Sequence, residues 1–389
     1  MVSDAIDQPL TPGDLGLTAA GPTLDSIQLP LLTEAAAQTL AGWTQMDLFL
    51  DRRDALKLAL GAPLILAAER MLGGTTRRLN RATKGFDADT TAALEEVTTF
   101  FTKADASKGG GLYRSAIVAQ LAEVARRIQD GVPASLKARV FAATADLAAL
   151  AGWVSHDCGR YATAQRYWSY GIYAASEAGQ PDRGVEIITR MSHQMIYLGH
   201  PQDALGLLGV AAKKATLPAT KALVASQTGR VHAALGDEQG ADRHLGAADE
   251  LVADGLGEVP EWVAYFDAAE HAGARAVSAR DLAGLHGDHR PASVYFTDAL
   301  RLRRPGFDRV KVMDQIGLAA ALFTEREPEQ GAAAAHQALT DATRVDSTLV
   351  ASRLNTLLDA ARPYRTTAVD EVRTRAADLV AARPTTVAA

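Results

Sequence analysis

The chain has 389 residues, of which 48% are hydrophobic and only 6% aromatic, and alanine occurs in long runs. This composition favours helices over strands, so we predict an all-α fold. A formal net charge of −6 argues against a protein whose whole surface binds nucleic acid, and a single cysteine, Cys158, excludes a disulfide within the chain and suits the reducing cytoplasm, where we expect the protein to reside.

The first 87 residues lack the regular pattern of the rest. Residues 1–45 contain four prolines among scattered glycines and threonines, so we predict a flexible linker there. Residues 46–87 are predicted to form a docking helix or helices and a connector. The longest apolar stretch, residues 56–68, is too short to cross a bilayer and contains Pro63, so no membrane anchor is expected.

Residues 88–383 show a helical rhythm. Apolar residues recur at three- and four-residue spacing, and glycine, proline or aspartate interrupts them at intervals of about 15–20 residues. The rhythm predicts short antiparallel helices, and residues 384–389 form a tail.

Three glycine-containing turns recur within this region. They centre on Gly159, Gly199 and Gly236, at steps of 40 and 37 residues, and an alanine-rich helix follows each one. The pattern resembles the helix–turn–helix unit of tetratricopeptide repeats, whose period is about 34 residues, and residues 325–328 look like a degenerate copy. We therefore predict a right-handed superhelix of tetratricopeptide-like antiparallel helix pairs with a concave binding face, and turn glycines that end the first helix of each pair.

Polar and aromatic side chains concentrate in one window of this alanine-rich and leucine-rich chain. Aromatic groups offer contact area at low entropy cost, whereas arginine and glutamine fix the orientation of a ligand. Any one of them could instead be an interior residue with a satisfied polar tip. Several are separated by about one repeat, so first helices of neighbouring pairs could place them on one concave wall. The candidate binding residues are Trp153, His156, Tyr161, Gln165, Arg166, Tyr170, Arg190, His193, Gln194 and Tyr197.

The remaining polar motifs have simpler interpretations. Arg190 could bind a carboxylate or phosphate, but we prefer a pair with Glu186 one helical turn earlier. Residues 286–289 hold two histidines and an aspartate without a second ligand pair at zinc spacing, so no metal site is predicted. The basic residues within 301–311 are interpreted as a solvated face. Cys158 has no base facing it, and no phosphate-binding loop or nucleophile elbow occurs, so neither catalysis nor a cofactor is expected.

Several longer motifs, in order, resemble a known family. They are similar to the sensor half of actinobacterial transcriptional regulators that carry an N-terminal XRE-type helix-turn-helix, and the similarity covers roughly residues 135–275. The motifs that carry this resemblance are residues 147–153, 156–160, 164–167, 191–194, 197–201, 230–237, 260–262 and 265–270.

The resemblance implies a sensor or effector module whose repeats bind a peptide, a small metabolite or a protein partner. Residues 11–17 resemble the segment that closes the DNA-binding domain in that family, so the chain is expected to begin where such a domain would end. Specific DNA binding by this chain alone is therefore not expected. A constitutive protein-interaction scaffold and an unusual all-α enzyme are the alternatives, and a homodimer stays open.

Overall fold

A computed structural model describes residues 33–51, 85–286 and 291–382. These residues form fifteen α-helices and one short 3₁₀ helix, Glu261–Val263, with no strand among them, which confirms the all-α prediction. The α-helices are α1 Thr33–Asp51, α2 Ala88–Lys108, α3 Arg114–Asp130, α4 Lys137–Asp157, α5 Tyr161–Glu177, α6 Pro181–Tyr197, α7 Pro201–Ala212, α8 Pro218–Ala234, α9 Glu238–Ala253, α10 Ala268–His286, α11 Ala292–Leu302, α12 Asp308–Thr324, α13 Pro328–Ala342, α14 Thr348–Ala361 and α15 Thr367–Ala381.

From α4 onward the helices pack as six consecutive pairs: α4 with α5, α6 with α7, and so on to α14 with α15. The first helix of each pair also packs on the first helix of the next pair, so α4, α6, α8, α10, α12 and α14 form one layer. This packing is consistent with the predicted superhelix. We call the side of this layer that carries Trp153, His193 and Arg230 the inner face.

The recurrent turns share one backbone geometry. Gly159, Gly199 and Gly236 have φ of +74°, +80° and +76°, the left-handed region in which glycine carries no Cβ penalty. Each donates its N–H to the carbonyl three residues earlier, and the next residue donates to the carbonyl five residues earlier. The degenerate copy has the same bonds with Arg326 at φ +67°. The turn glycines therefore end their helices as predicted.

Within a pair, small residues let the two helices approach. A Cβ on Gly152 would lie 2.4 Å from the ring of Trp168, and one on Gly229 would lie 2.6 Å from Cγ of Leu245. In both pairs the bulky partner follows the glycine by sixteen residues, so the contact repeats in register. These close contacts pack the two helices of both pairs tightly and involve none of the polar candidates.

The two ends of the first-helix layer meet. Asp157, at the end of α4, accepts hydrogen bonds from Oγ of Ser347 (2.5 Å) and from the backbone N–H of Leu349 (3.3 Å) at the start of α14. Beside it, the Asp346 N–H donates to the Lys108 carbonyl at the end of α2, 2.8 Å away. Contacts between distant parts of the chain therefore close the layer beside the inner face.

The predicted linker of residues 1–45 extends too far, because α1 begins at Thr33. Ala36, Ala37 and Leu40 are fully buried, and α1 packs mainly on α3. Asp47 binds Arg114 at 2.5 Å and also accepts from the Tyr167 hydroxyl on α5 at 2.7 Å. The helical spacing of these alanines outweighs the prolines upstream, so the docking helix starts earlier than expected. Residues 1–32, 52–84 and 383–389 lie outside the described ranges.

The left-handed turn at Arg326 makes one stability prediction. Replacing Arg326 with glycine should raise the free energy of unfolding by about 1 kcal/mol, because a non-glycine residue in this region costs roughly 1–2 kcal/mol and glycine's greater unfolded-state entropy offsets part of the gain. Urea unfolding followed by circular dichroism measures the change.

The matched control is Gly199→Ala, where an added Cβ would meet no atom within 4 Å, so only the backbone conformation is penalised. That variant should be less stable by about 1 kcal/mol. A destabilised Arg326→Gly protein would contradict the shared turn geometry.

Candidate functional site

Six aromatic side chains from α4, α5 and α6 lie together, and five of them surround the sixth, a histidine. We call them the aromatic cluster: Trp153, His156, Tyr161, Trp168, His193 and Tyr197. His156 is fully buried at its centre. Ring centroids lie 5.4 Å from it for Tyr197, 5.6 Å for Trp153 and Tyr161, 5.9 Å for His193 and 6.0 Å for Trp168.

The histidines of the aromatic cluster are held neutral. Burial lowers the pKa of His156 to about 4, and the positive charge of Arg309 acts in the same direction. Burial, followed by Arg230 and His156, also lowers the pKa of His193 well below its usual value. Neither ring nitrogen of His156, and not Nδ1 of His193, has a hydrogen-bond partner in the described ranges. These side chains are therefore uncharged hydrogen-bonding groups at neutral pH.

Two arginines cover the ring of Trp153. The guanidinium carbons of Arg190 and Arg309 lie 5.6 Å and 5.1 Å from its centroid, within the range of cation–π attraction. Arg190 also packs 5.2 Å from Tyr265, and its Nε donates to Glu186 at 2.5 Å, as the sequence predicted. Burial alone would lower the pKa of Arg190, but Glu186 overcomes this and raises it. Arg190 is therefore a fixed cation.

Gln165 and Gln194 join α5 to α6 at the edge of the aromatic cluster. The Gln165 amide donates to Gln194 Oε1 at 2.9 Å, and Gln194 donates to the Tyr161 carbonyl at 3.3 Å. Gln194 is fully buried, so its amide is satisfied by these bonds and sets the spacing of the two helices. Both glutamines lie beside the cluster as structural cross-links.

Eight of the ten candidate residues thus lie together, and two do not. Tyr170 is fully buried in the hydrophobic core that α4 and α5 share with α1 and α3, so the inclusion of Tyr170 in a binding face is corrected to a core position. Arg166 points to the opposite side of α5, where it lines a small cleft with Trp43, Asp47 and Tyr167. On a helix, positions 166 and 170 share a face that differs from that of 161, 165 and 168.

The sequence interpretation missed the arginines that face this cluster from other helices. Arg309 is 5% exposed, and its Nη2 donates to Asp105 at 3.0 Å. Arg303 is also buried, paired with Asp314 at 2.6 Å. The prediction of a solvated basic face within residues 301–311 was therefore wrong for both, because buried carboxylates face them.

Repeat register is the signal that could have found part of this set. Trp153, His193 and Arg230 each lie six residues before the turn glycine of their pair. The same position in three successive first helices must project to the same side of the layer. Arg230 was named only as part of a family motif, although its register marks it as a neighbour of His193.

Three further observations concern metal ligands, the Cys158 thiol and membrane-spanning helices. In the part of the chain that the structure describes, no group of three or more histidine, cysteine, aspartate or glutamate side chains could hold a metal ion. The motif at residues 286–289 lies outside the described side chains. Burial raises the pKa of the Cys158 thiol to about 12, so it is protonated at neutral pH. No helix among the described residues is long and apolar enough to cross a membrane.

Fold and site together define a class: an all-α protein of packed helix pairs with aromatic and cationic side chains gathered on a closed inner face. No protein-family model, curated protein or solved structure matches the chain.

The buried neutral histidine predicts a pH effect on stability. An unfolded histidine takes up a proton below about pH 6.5, whereas folded His156 does so only below about 4, so its burial makes the fold less stable as pH falls through this window. Phenylalanine keeps the ring and binds no proton. Between pH 7.5 and pH 5, wild type should therefore lose about 2 kcal/mol more stability than His156→Phe.

Chemical unfolding at both pH values measures this difference. Asp146 and Asp314, whose pKa values burial raises to about 6 and about 7, shift stability in the opposite direction but do so in both proteins and cancel. His336→Phe, on the outer helix α13, should follow wild type. Parallel losses in wild type and His156→Phe would contradict a neutral, buried His156.

Proposed function

We propose that the chain is the sensor or effector module of a transcriptional regulator, and that its inner face binds a small metabolite or the end of a short peptide. The observation that carries the proposal is the aromatic cluster with its covering arginines. It brings into the interior hydrogen-bonding groups that have no partner among the described residues, beside helices that pack closely through Gly152 and Gly229. Such groups are costly unless something binds them.

The closed inner face favours a small ligand over a protein or a long peptide. Arg190 and His193 are partly exposed, so solvent reaches the site, but contacts between Asp157 and Ser347 close the layer beside it. A ligand must enter a narrow space or shift the helices that enclose it. Either mode couples binding to helix packing, as a sensor requires.

The structure also provides a route from the site to α1. Tyr161 belongs to the aromatic cluster, and the preceding residue, Arg160, pairs with Asp47 of α1 at 3.3 Å. Tyr167, on the opposite face of the same helix, donates to Asp47 as well. A displacement of α5 on ligand binding would therefore change how α1 is held. We propose α1 as the output element.

The regulatory role itself comes from the family resemblance over roughly residues 135–275. In that family the sensor controls how a DNA-binding domain is presented, and this chain alone is proposed not to bind duplex DNA specifically. We propose a cytoplasmic location and no catalysis. The constitutive scaffold is the alternative, and it differs in requiring no change in the structure when its partner binds.

Ligand binding can be tested with a variant that keeps the packing. We expect a library of primary metabolites and short synthetic peptides, screened by thermal shift and then calorimetry, to yield binders of one chemical class. His193→Phe preserves the ring beside Trp153 and His156 but loses the hydrogen-bonding nitrogens, so it should weaken those binders by about 1 kcal/mol, roughly fivefold.

The control is His244→Phe. His244 lies on the outer helix α9 and stacks on His232 at 5.2 Å, so the change also replaces a stacked imidazole but far from the aromatic cluster. It should bind as wild type does. Binders that His193→Phe leaves unchanged would show that the inner face is not the site.

The output can be tested by hydrogen–deuterium exchange with the binder found above. A sensor should change the exchange rate of α1 amides severalfold on binding, because α5 holds α1 through Asp47. Amides of α11, an outer helix that pairs with α10 and carries no residue of the aromatic cluster, serve as the internal control. Binding that alters only the amides of α4 to α6 would contradict the sensor and favour the scaffold.

A further inference from the structure

Two arginines on the inner face have no carboxylate partner. Arg230 on α8 donates to Gln227 at 3.3 Å, and within the described ranges Arg230 has no other hydrogen bond and Arg353 on α14 has neither a hydrogen bond nor an ion pair. By contrast, Arg190, Arg280, Arg303 and Arg309 each have a carboxylate within 4 Å. The inner face therefore carries two positive charges that the protein does not neutralise by contact.

These two charges repel each other. Burial, followed by the positive charges of Arg280 and Arg230, lowers the pKa of Arg353 to about 9, although Asp281 and Asp314 oppose the shift. Because arginine is strongly basic, such a shift indicates a guanidinium group in a poorly solvated place with other positive charges near it. Asp281 and Asp314 attract Arg353, and Asp281 and Glu270 attract Arg230, but none of these carboxylates forms an ion pair with either group within the described ranges.

Unpartnered donors point to the same place. Nε and Nη1 of Arg309, Nε of Arg230, Nε2 of Gln227 and Nε1 of Trp153 are buried without a hydrogen-bond partner in the described part of the chain. The guanidinium carbon of Arg309 lies 5.1 Å from the ring centroid of Trp153, and the ring centroid of His193 lies 5.7 Å from it. The unpartnered donors of Arg309 therefore lie beside the aromatic cluster. Among the described residues, Oδ1 of Asp105, whose other carboxylate oxygen accepts from Arg309, is an acceptor without a partner.

We propose that Arg230, Arg309 and Arg353 together bind a small oxyanion, the carboxylate or phosphate group of the ligand. An oxyanion accepts several N–H donors at once and neutralises the two unpaired guanidinium groups. This proposal rests on the proposed function and narrows its ligand class from any small metabolite or peptide end to an anionic one. Neutral His193 lies within electrostatic reach of all three arginines and can donate to or accept from the rest of the ligand.

The experiment compares unfolding temperatures of the whole chain at matched ionic strength in chloride, inorganic phosphate and succinate. At ten times the dissociation constant, the effective oxyanion should raise the unfolding temperature by about 3 °C over chloride. A shift with phosphate alone assigns a phosphate ligand, and a shift with succinate alone assigns a carboxylate ligand. No shift with either anion overturns the proposal.

The decisive variant is Arg353→Gln. Removing one of two repelling charges should raise the unfolding temperature in chloride and abolish the extra shift with the oxyanion, a combination that simple damage to the fold does not produce. Arg304→Gln, an exposed arginine paired with Asp267, should keep the wild-type shift. Equal shifts in wild type and Arg353→Gln would overturn the proposal by showing nonspecific anion effects.

Failure here is distinguishable from failure of the proposed function. If the inner face binds a neutral ligand, the compounds found by screening will still depend on His193 while Arg353→Gln leaves their affinity unchanged. That result would overturn the anion site and keep the sensor. Loss of screened binding in Arg353→Gln by tenfold or more, with His193→Phe also weakened, supports both.

Discussion

The arrangement of the inner face depends on the buried carboxylate of Asp157. It ends α4 and caps the start of α14, since Ser347 at that helix start makes no side-chain cap of its own while Asp157 accepts from Ser347 and from the Leu349 N–H. A carboxylate at a helix N-terminus is favoured by the helix dipole. Burial raises the pKa of Asp157, whereas Arg309 and these hydrogen bonds oppose the rise. The contact joins residues 190 apart in sequence, and it brings Arg309 and Arg353 to the aromatic cluster.

The arginines on the inner face form two groups that differ in whether nearby groups compensate the cost of burying their charge. Arg190 and Arg309 are compensated twice, by a carboxylate and by the ring of Trp153, so their desolvation is offset by Coulomb and cation–π attraction. Arg230 and Arg353 have neither. The close contacts of Gly152 and Gly229 within their helix pairs involve neither arginine. Contacts within the fold do not explain the presence of these two charges, whereas the proposed anionic ligand would.

The sequence predicted the features that depend on neighbouring residues, and it missed the contacts that form when the two ends of the helical layer meet. Left-handed turns at Gly159, Gly199 and Gly236 follow from glycine's backbone freedom, and the helix pairs follow from periodicity. Position within the repeat also brought Trp153 and His193 into one cluster. The partners on α12 and α14 could not be inferred, because they reach the site only after the two ends of the layer meet. Faces within α5 were confused for a simpler reason: without knowing what packs on either side, residues on both faces look alike.

The two faces of α5 explain how one small site could control a distant segment. Its inner side contributes Tyr161 and Trp168 to the aromatic cluster, and its outer side holds Asp47 through Tyr167. Gly152 fixes the depth of this helix against α4, since even one methyl group there would collide with Trp168. Because α5 is tightly packed, a displacement of its inner side also displaces its outer side. A ligand that prefers one position of α5 shifts the hold on α1 by no more than its difference in affinity for the two positions, about 1–3 kcal/mol for typical coupling. For the proposed anionic ligand, that difference would come from how closely Arg230 and Arg353 approach the anion in each position of α5.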